Sequence, residues 1–91
     1  MIIVAGSLIA HPGQREALIA KSKQAIAAAR KVKGCLAFVV AADPIDADRV
    51  VVFERWESRD ALEAFRGEGP DSDIDFEIAA FDVKEYEVIE A

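Results

Sequence analysis

The sequence predicts a single α+β domain, residues 1–91, in the order β-α-β-β-α-β. Three observations predict it. Val50–Ser58 (Val-Val-Val-Phe-Glu-Arg-Trp-Glu-Ser) combines three valines with two aromatics, a strand composition. Gln14 to about Lys31 carries apolar residues at three-and-four spacing, a helix period. Pro12-Gly13, Gly34 and Asp43-Pro44 punctuate the chain between these runs.

In chain order, Ile2–Ala10 reads as the first strand. It does not alternate apolar with polar: Ile3, Ala5 and Ile9 point one way, and Ile2, Val4 and Leu8 the other. His11-Pro12-Gly13 is a turn. The helix follows, with Leu18, Ile19, Ser22, Ala25, Ile26, Ala29 and Val32 on one stripe and Gly34 as its stop. Cys35–Ala42 is a second strand, again apolar on both faces, and 43–48 is a polar connection of hairpin length. Arg49–Glu57 is the third strand. Ser58 reads as the N-cap of a short helix, Arg59–Arg66, with Asp60 in its first turn. Gly67-Glu68-Gly69-Pro70 breaks that helix, 71–80 fits either a helical turn or irregular chain, and Phe81–Ile89 is the last strand. The order is the ferredoxin-like one, a four-stranded antiparallel sheet with two helices.

Composition narrows the function. Eleven basic and seventeen acidic residues leave a net charge of −6, which argues against nucleic acid, because phosphate binding needs a basic face. No run of about 18 apolar residues exists, so no transmembrane helix is expected, and no basic region precedes the first apolar run. One cysteine, Cys35, excludes an internal disulfide, and a cytoplasmic protein is the simplest reading. The hydrophobic fraction, 53%, is high for so short a chain. Two helices cover one face of a four-stranded sheet. Strands apolar on both faces therefore leave a surplus, through Ile3, Ala5 and Ile9 and one set of the second strand, either Leu36, Phe38 and Val40 or Ala37, Val39 and Ala41. A second copy packed sheet to sheet, a homodimer, is the expected remedy.

Four local patterns, in this order and spacing, resemble the antibiotic-biosynthesis-monooxygenase family of dimeric α+β barrels. They are an apolar strand running into Pro12-Gly13, Gly34-Cys35-Leu36 opening the second strand, Phe53-Glu54-Arg55-Trp56-Glu57-Ser58 entering a helix, and Tyr86-Glu87-Val88. The family includes cofactor-free oxygenases of hydroxylated aromatics and quinols, haem-degrading enzymes, small-molecule isomerases and members without known activity. The resemblance implies a pocket between sheet and helices that Trp56 faces. Alternation then sets Val50, Val52, Glu54 and Trp56 on the pocket side. Val4, Val52, Phe65 and Tyr86 are the candidate substrate-binding residues, with Tyr86 at either the pocket or the subunit interface. The haem-degrading branch uses an asparagine at or next to the position of Gly6 and a histidine on the helix side. Here Gly6-Ser7 stands at the first, and the segment after Phe65 has no histidine.

Trp56 and Glu54 are the candidate catalytic pair. A partly buried carboxylate beside an apolar wall gains basicity, and an indole can hold an aromatic ring; the plainer alternatives are a salt-bridged Glu54 and a core Trp56. His11 reads as a turn residue and Cys35 as a small buried hydrophobe. Asp71-Ser72-Asp73-Ile74-Asp75 starts like a calcium loop, but Phe76 stands where the glycine belongs. No metal, cofactor or nucleotide motif is present. The expected activity is a cofactor-independent monooxygenase acting with dioxygen on a hydroxylated aromatic or quinol. The alternative is a non-catalytic dimer binding a small hydrophobic, aromatic or quinone-like ligand.

Overall fold

The computed structural model describes residues 1–67 and 78–89. The elements are β1 (Ile2–Ala10), α1 (Arg15–Arg30), β2 (Cys35–Ala42), β3 (Arg49–Trp56), α2 (Arg59–Gly67) and β4 (Ile78–Glu87). The four strands form one antiparallel sheet in the order β2-β3-β1-β4. This is the expected ferredoxin-like arrangement.

β4 begins three residues before the predicted Phe81 and ends at Glu87, two before Ile89. Ile78-Ala79-Ala80 carries no strand signature of its own; pairing with Ile9 and Ala10 of β1, across a register shift, makes it strand. The rest of the 71–80 stretch, the Asp71–Asp75 pattern and Glu68-Gly69-Pro70 lie outside the described residues. Gly67 belongs to the last turn of α2 rather than to a break.

Local chemistry explains the boundaries. Gly13 takes a positive φ of 79° in the turn where Gln14 N–H donates to the His11 carbonyl. Ser58 caps α2: its Oγ accepts from Ala61 N–H at 3.2 Å. Asp43 Oδ2 accepts from the N–H groups of Ile45 and Asp46 and fixes the β2–β3 connection as an Asx turn. β2 bulges between Cys35 and Ala37, and the extra residue, Leu36, is exposed.

Gly34 stands where three elements meet. Its φ is +97°, and its carbonyl accepts from Glu57 N–H at 2.8 Å. A Cβ there would lie 2.6 Å from the Ala61 side chain on α2.

The helices cover one face of the sheet. Ile2, Val4, Leu8 and Ala10 of β1, Val50, Val52 and Trp56 of β3 and Phe38 of β2 are buried against Leu18 and Ala29 of α1 and Leu62 of α2. Alternation turns Ile3, Ala5 and Ile9 to the opposite face. The pairing puts Ala37, Val39 and Ala41, rather than Phe38 and Val40, on that face, with Val51 and Phe53 of β3. Val39, Val51 and Phe53 are exposed there. Among the described residues, nothing covers this largely apolar sheet face.

Candidate functional site

The register sorts the helix-facing residues into rows across the sheet. One row, read β2 to β4, is Phe38, Glu54, Val4 and Glu85; the next is Val40, Val52, Gly6 and Val83. Between these rows and the helices lies a cavity of about 200 Å³. Val4, Leu8, Val40, Val52 and Val83 form its floor, Ser22 and Ala25 of α1 its roof, and Phe38 and Glu54 one end. Arg66 of α2 and Phe81 of β4 complete the lining.

Two of the polar groups are held in place by the fold. The Ser22 hydroxyl donates to the Leu18 carbonyl at 2.8 Å, which leaves its oxygen lone pairs as acceptors in an otherwise apolar roof. Glu54 Oε1 accepts from Trp56 Nε1–H at 3.0 Å. The two residues are neighbours on one face of β3, so the indole reaches back to the carboxylate. Burial pushes the Glu54 carboxyl above its ordinary value; the Trp56 hydrogen bond and the Arg66 charge oppose that, and the Glu85 charge adds to it. Glu54 is therefore a more basic carboxylate than one in water, aimed by a donor on a fully buried side chain.

Arg66 Nη1 donates to Glu85 Oε2 at 2.8 Å, and Arg59 Nη1 donates to Oε1 of the same carboxylate at 2.9 Å. These hydrogen bonds hold Glu85 below the usual carboxylate range. Both arginine side chains are about half exposed, so solvent screening leaves this triad little share in stability.

The structure brings three of the six predicted residues, Glu54, Val4 and Val52, to one cavity. Trp56 does not line it. It lies one row further along, fully buried, stacked on Phe65 at 5.4 Å and edge-on to Phe38 at 6.4 Å. Its contact with the site is the hydrogen bond to Glu54. Phe65 packs on Trp56 and Phe38 as part of the same aromatic cluster, away from the cavity. Tyr86 pairs with Ile3 and stands exposed on the opposite sheet face, which leaves the interface as its alternative. Ser22, Phe38 and Arg66 are additions. Ser22 was visible as the one polar residue in the apolar stripe of α1. Arg66, seven residues after Arg59 and hence on the same helix face, gave only that spacing as a signal.

His11 sits exposed in its turn. The Cys35 thiol is half-buried, near the Ala37 carbonyl, and burial pushes its pKa up, the opposite of an activated nucleophile.

The role of Trp56 is testable by a graded pair. Trp56→Ala should cost about 3–5 kcal/mol in urea denaturation, as for large-to-small changes in a core. Trp56→Phe should keep the fold and raise the Glu54 carboxyl pKa further, because the donor that lowers it is gone. Side-chain NMR titration reads that shift. A downward shift in Trp56→Phe would refute the hydrogen bond's role.

Comparison with known proteins bears on this geometry. The model of the antibiotic biosynthesis monooxygenase family matches residues 1–70. A family protein from Chloroflexus aurantiacus is 32% identical, with a TM-score of 0.71 over 99% of this chain and 94% of that one. A Deinococcus radiodurans structure is 22% identical with a TM-score of 0.83, covering 100% and 95% of the two chains. Rv0793 from Mycobacterium tuberculosis is 24% identical with a TM-score of 0.83, covering 99% and 96%. The last two show likeness of fold alone. No curated protein matches.

Proposed function

The chain belongs to the antibiotic biosynthesis monooxygenase family, and from that premise we propose that it is a cofactor-independent monooxygenase of a hydroxylated aromatic or quinol. The observation that carries the proposal is Glu54: a part-buried carboxylate, made more basic by burial, at one end of an apolar cavity. Glu54 takes the ring hydroxyl proton. The phenolate left behind is electron-rich enough to reduce dioxygen, which bonds to a ring carbon through one oxygen atom and takes the proton back from Glu54 to become a hydroperoxide. Loss of water from the resulting hydroperoxide leaves a carbonyl, so hydroquinone and O2 give a hydroxyquinone and water. The protein's task is to orient the ring, exclude bulk water and hold the proton. Val4 and Val52 contact the ring, and Trp56 acts through Glu54 as a positioning residue. Phe65 supports that indole.

Oxygen-electrode assays with hydroquinones test the reading. Uptake above the uncatalysed rate, saturable in quinol, is expected. Quinol binding without uptake would support the alternative, a non-catalytic binder of a small aromatic ligand.

We further propose that the working unit is a homodimer in the cytoplasm, closed over the apolar sheet face. Burial is worth roughly 25 cal/mol per Å² before association costs, so a standard interface of about 1,600 Å² holds two small subunits. Val51 is 41% exposed and lies mid-face, so Val51→Asp leaves the helix-side core intact. Light scattering should give twice the 9.9 kDa chain mass for the wild type and the chain mass for Val51→Asp. A wild-type monomer at micromolar concentration would refute the dimer. Among the described residues, no helix is long and apolar enough to cross a membrane.

A further inference from the structure

We propose that the cavity selects a single aromatic ring bearing an anionic substituent in addition to its hydroxyl, and that Arg66 is the residue that recognises the anion. The proposal rests on the reading of this cavity as the ligand site. It goes beyond that reading by naming the substrate class.

Size is the first argument. An apolar cavity of about 150 Å³ holds one benzene. At about 200 Å³ this cavity accommodates one substituted ring on its valine floor, not a stack of fused rings.

Charge is the second. Glu54 lines the cavity, Glu85 stands beside Val4 in the next strand, and the whole chain carries −6. Such surroundings repel an anion. Arg66 is the one cation among the described lining residues. Its fork of N–H donors matches a carboxylate in two-point geometry, which an apolar wall or a hydroxyl does not.

Availability is the third. Arg66 donates to Glu85 Oε2 through Nη1, and Arg59 holds the other oxygen of the same carboxylate. Arg66 can turn to a ligand while Glu85 keeps a cationic partner. Glu54 and Arg66 then act at two points on one ring, the first on the hydroxyl and the second on the anion.

Trp56 is the only tryptophan, and its indole N–H contacts the cavity carboxylate, so its fluorescence reports binding. The test titrates the protein, under argon to prevent turnover, with 2,5-dihydroxybenzoate and separately with its methyl ester. The wild type should bind the acid at least tenfold more tightly than the ester. Arg66→Gln should bring the two within twofold by weakening the acid alone. Arg66→Lys, which keeps the charge but not the fork, should retain part of the preference. Arg59→Gln, which removes the same charge from the same triad outside the cavity lining, should keep it. Equal affinity for acid and ester in the wild type overturns the proposal, as does binding of neither at millimolar concentration. So does an equal loss of preference in Arg59→Gln and Arg66→Gln, which would make the effect one of general charge. Oxygen uptake is measured apart: acid-selective binding without uptake in air would uphold the recognition by Arg66 and remove the oxygenase reading.

Discussion

Glu54→Gln should lower quinol-dependent oxygen uptake by about 10²–10⁴-fold, the usual contribution of a positioned general base, without lowering the unfolding midpoint. Gln keeps the shape and can still accept from Trp56 Nε1–H, but it cannot take a proton. The stability consequence has a definite sign. Burial raises the Glu54 carboxyl above its ordinary 4.5, so the folded chain binds that proton more tightly than the unfolded one. Folding is then penalised as pH rises from about the unfolded value through the folded one, and the penalty is constant above it. Glu54→Gln has no such term. Urea denaturation should show its stability relative to wild type rising across that window and flattening beyond it. The same titration should appear in kcat/KM, which rises in the wild type with an apparent pKa above the ordinary carboxylate range. Undiminished uptake in Glu54→Gln would remove Glu54 as the base.

Gly6→Asn should destabilise the protein by about 2–6 kcal/mol and confer no haem degradation. Position 6 has φ +156°, and a Cβ there runs into the Asp82 carbonyl oxygen and lies 2.7 Å from Val83 Cα. These are backbone atoms of β4 and cannot step aside as a side-chain tip would. Overpacking of this kind costs about 1–3 kcal/mol and a disfavoured φ another 1–3, a large share of the roughly 5–15 kcal/mol that holds a small domain together. Haem-degrading relatives are expected to carry an asparagine in this part of the first strand. In this chain the close approach of β1 and β4 excludes a side chain at Gly6 itself. Wild-type-like stability of Gly6→Asn, or a stoichiometric haem complex degraded with reductant, would contradict the account.

Much of this architecture was legible in the sequence. Ile2–Ala10 and Cys35–Ala42 are strands with the predicted bounds, because a turn or a positive-φ glycine closes each against the helix. Ser58 was readable as a cap because its chemistry is local. β4 was less so, since its first three residues are strand only by virtue of the strand beside them. At the site, alternation along β3 correctly grouped Val52, Glu54 and Trp56 on one face. It did not separate Glu54, which reaches the cavity, from Trp56, which does not. That distinction depends on which row each occupies relative to α1 and α2, and strand periodicity carries no information about rows. Arg66 was missed for a related reason: its partner, Glu85, comes from a strand 19 positions away in sequence, and nothing local links them.

The sheet order has a kinetic consequence. β1, the first strand made, is an inner strand, and both its neighbours come from the far half of the chain. Until residues 49–56 exist β1 has no partner, and until residues 78–87 exist its second edge stays open. The local pieces can form sooner: α1, and the β2–β3 hairpin nucleated by the Asp43 turn. Arg15 Nη1 joins them by donating to the Asp43 and Asp46 carbonyls. Closing the long loops that seat β1 comes afterwards and sets the pace, because that entropy must be lost before the ladder bonds return it. Refolding should thus lie on the slow side for a domain of this length, and substitutions in β4 should speed unfolding more than they slow folding.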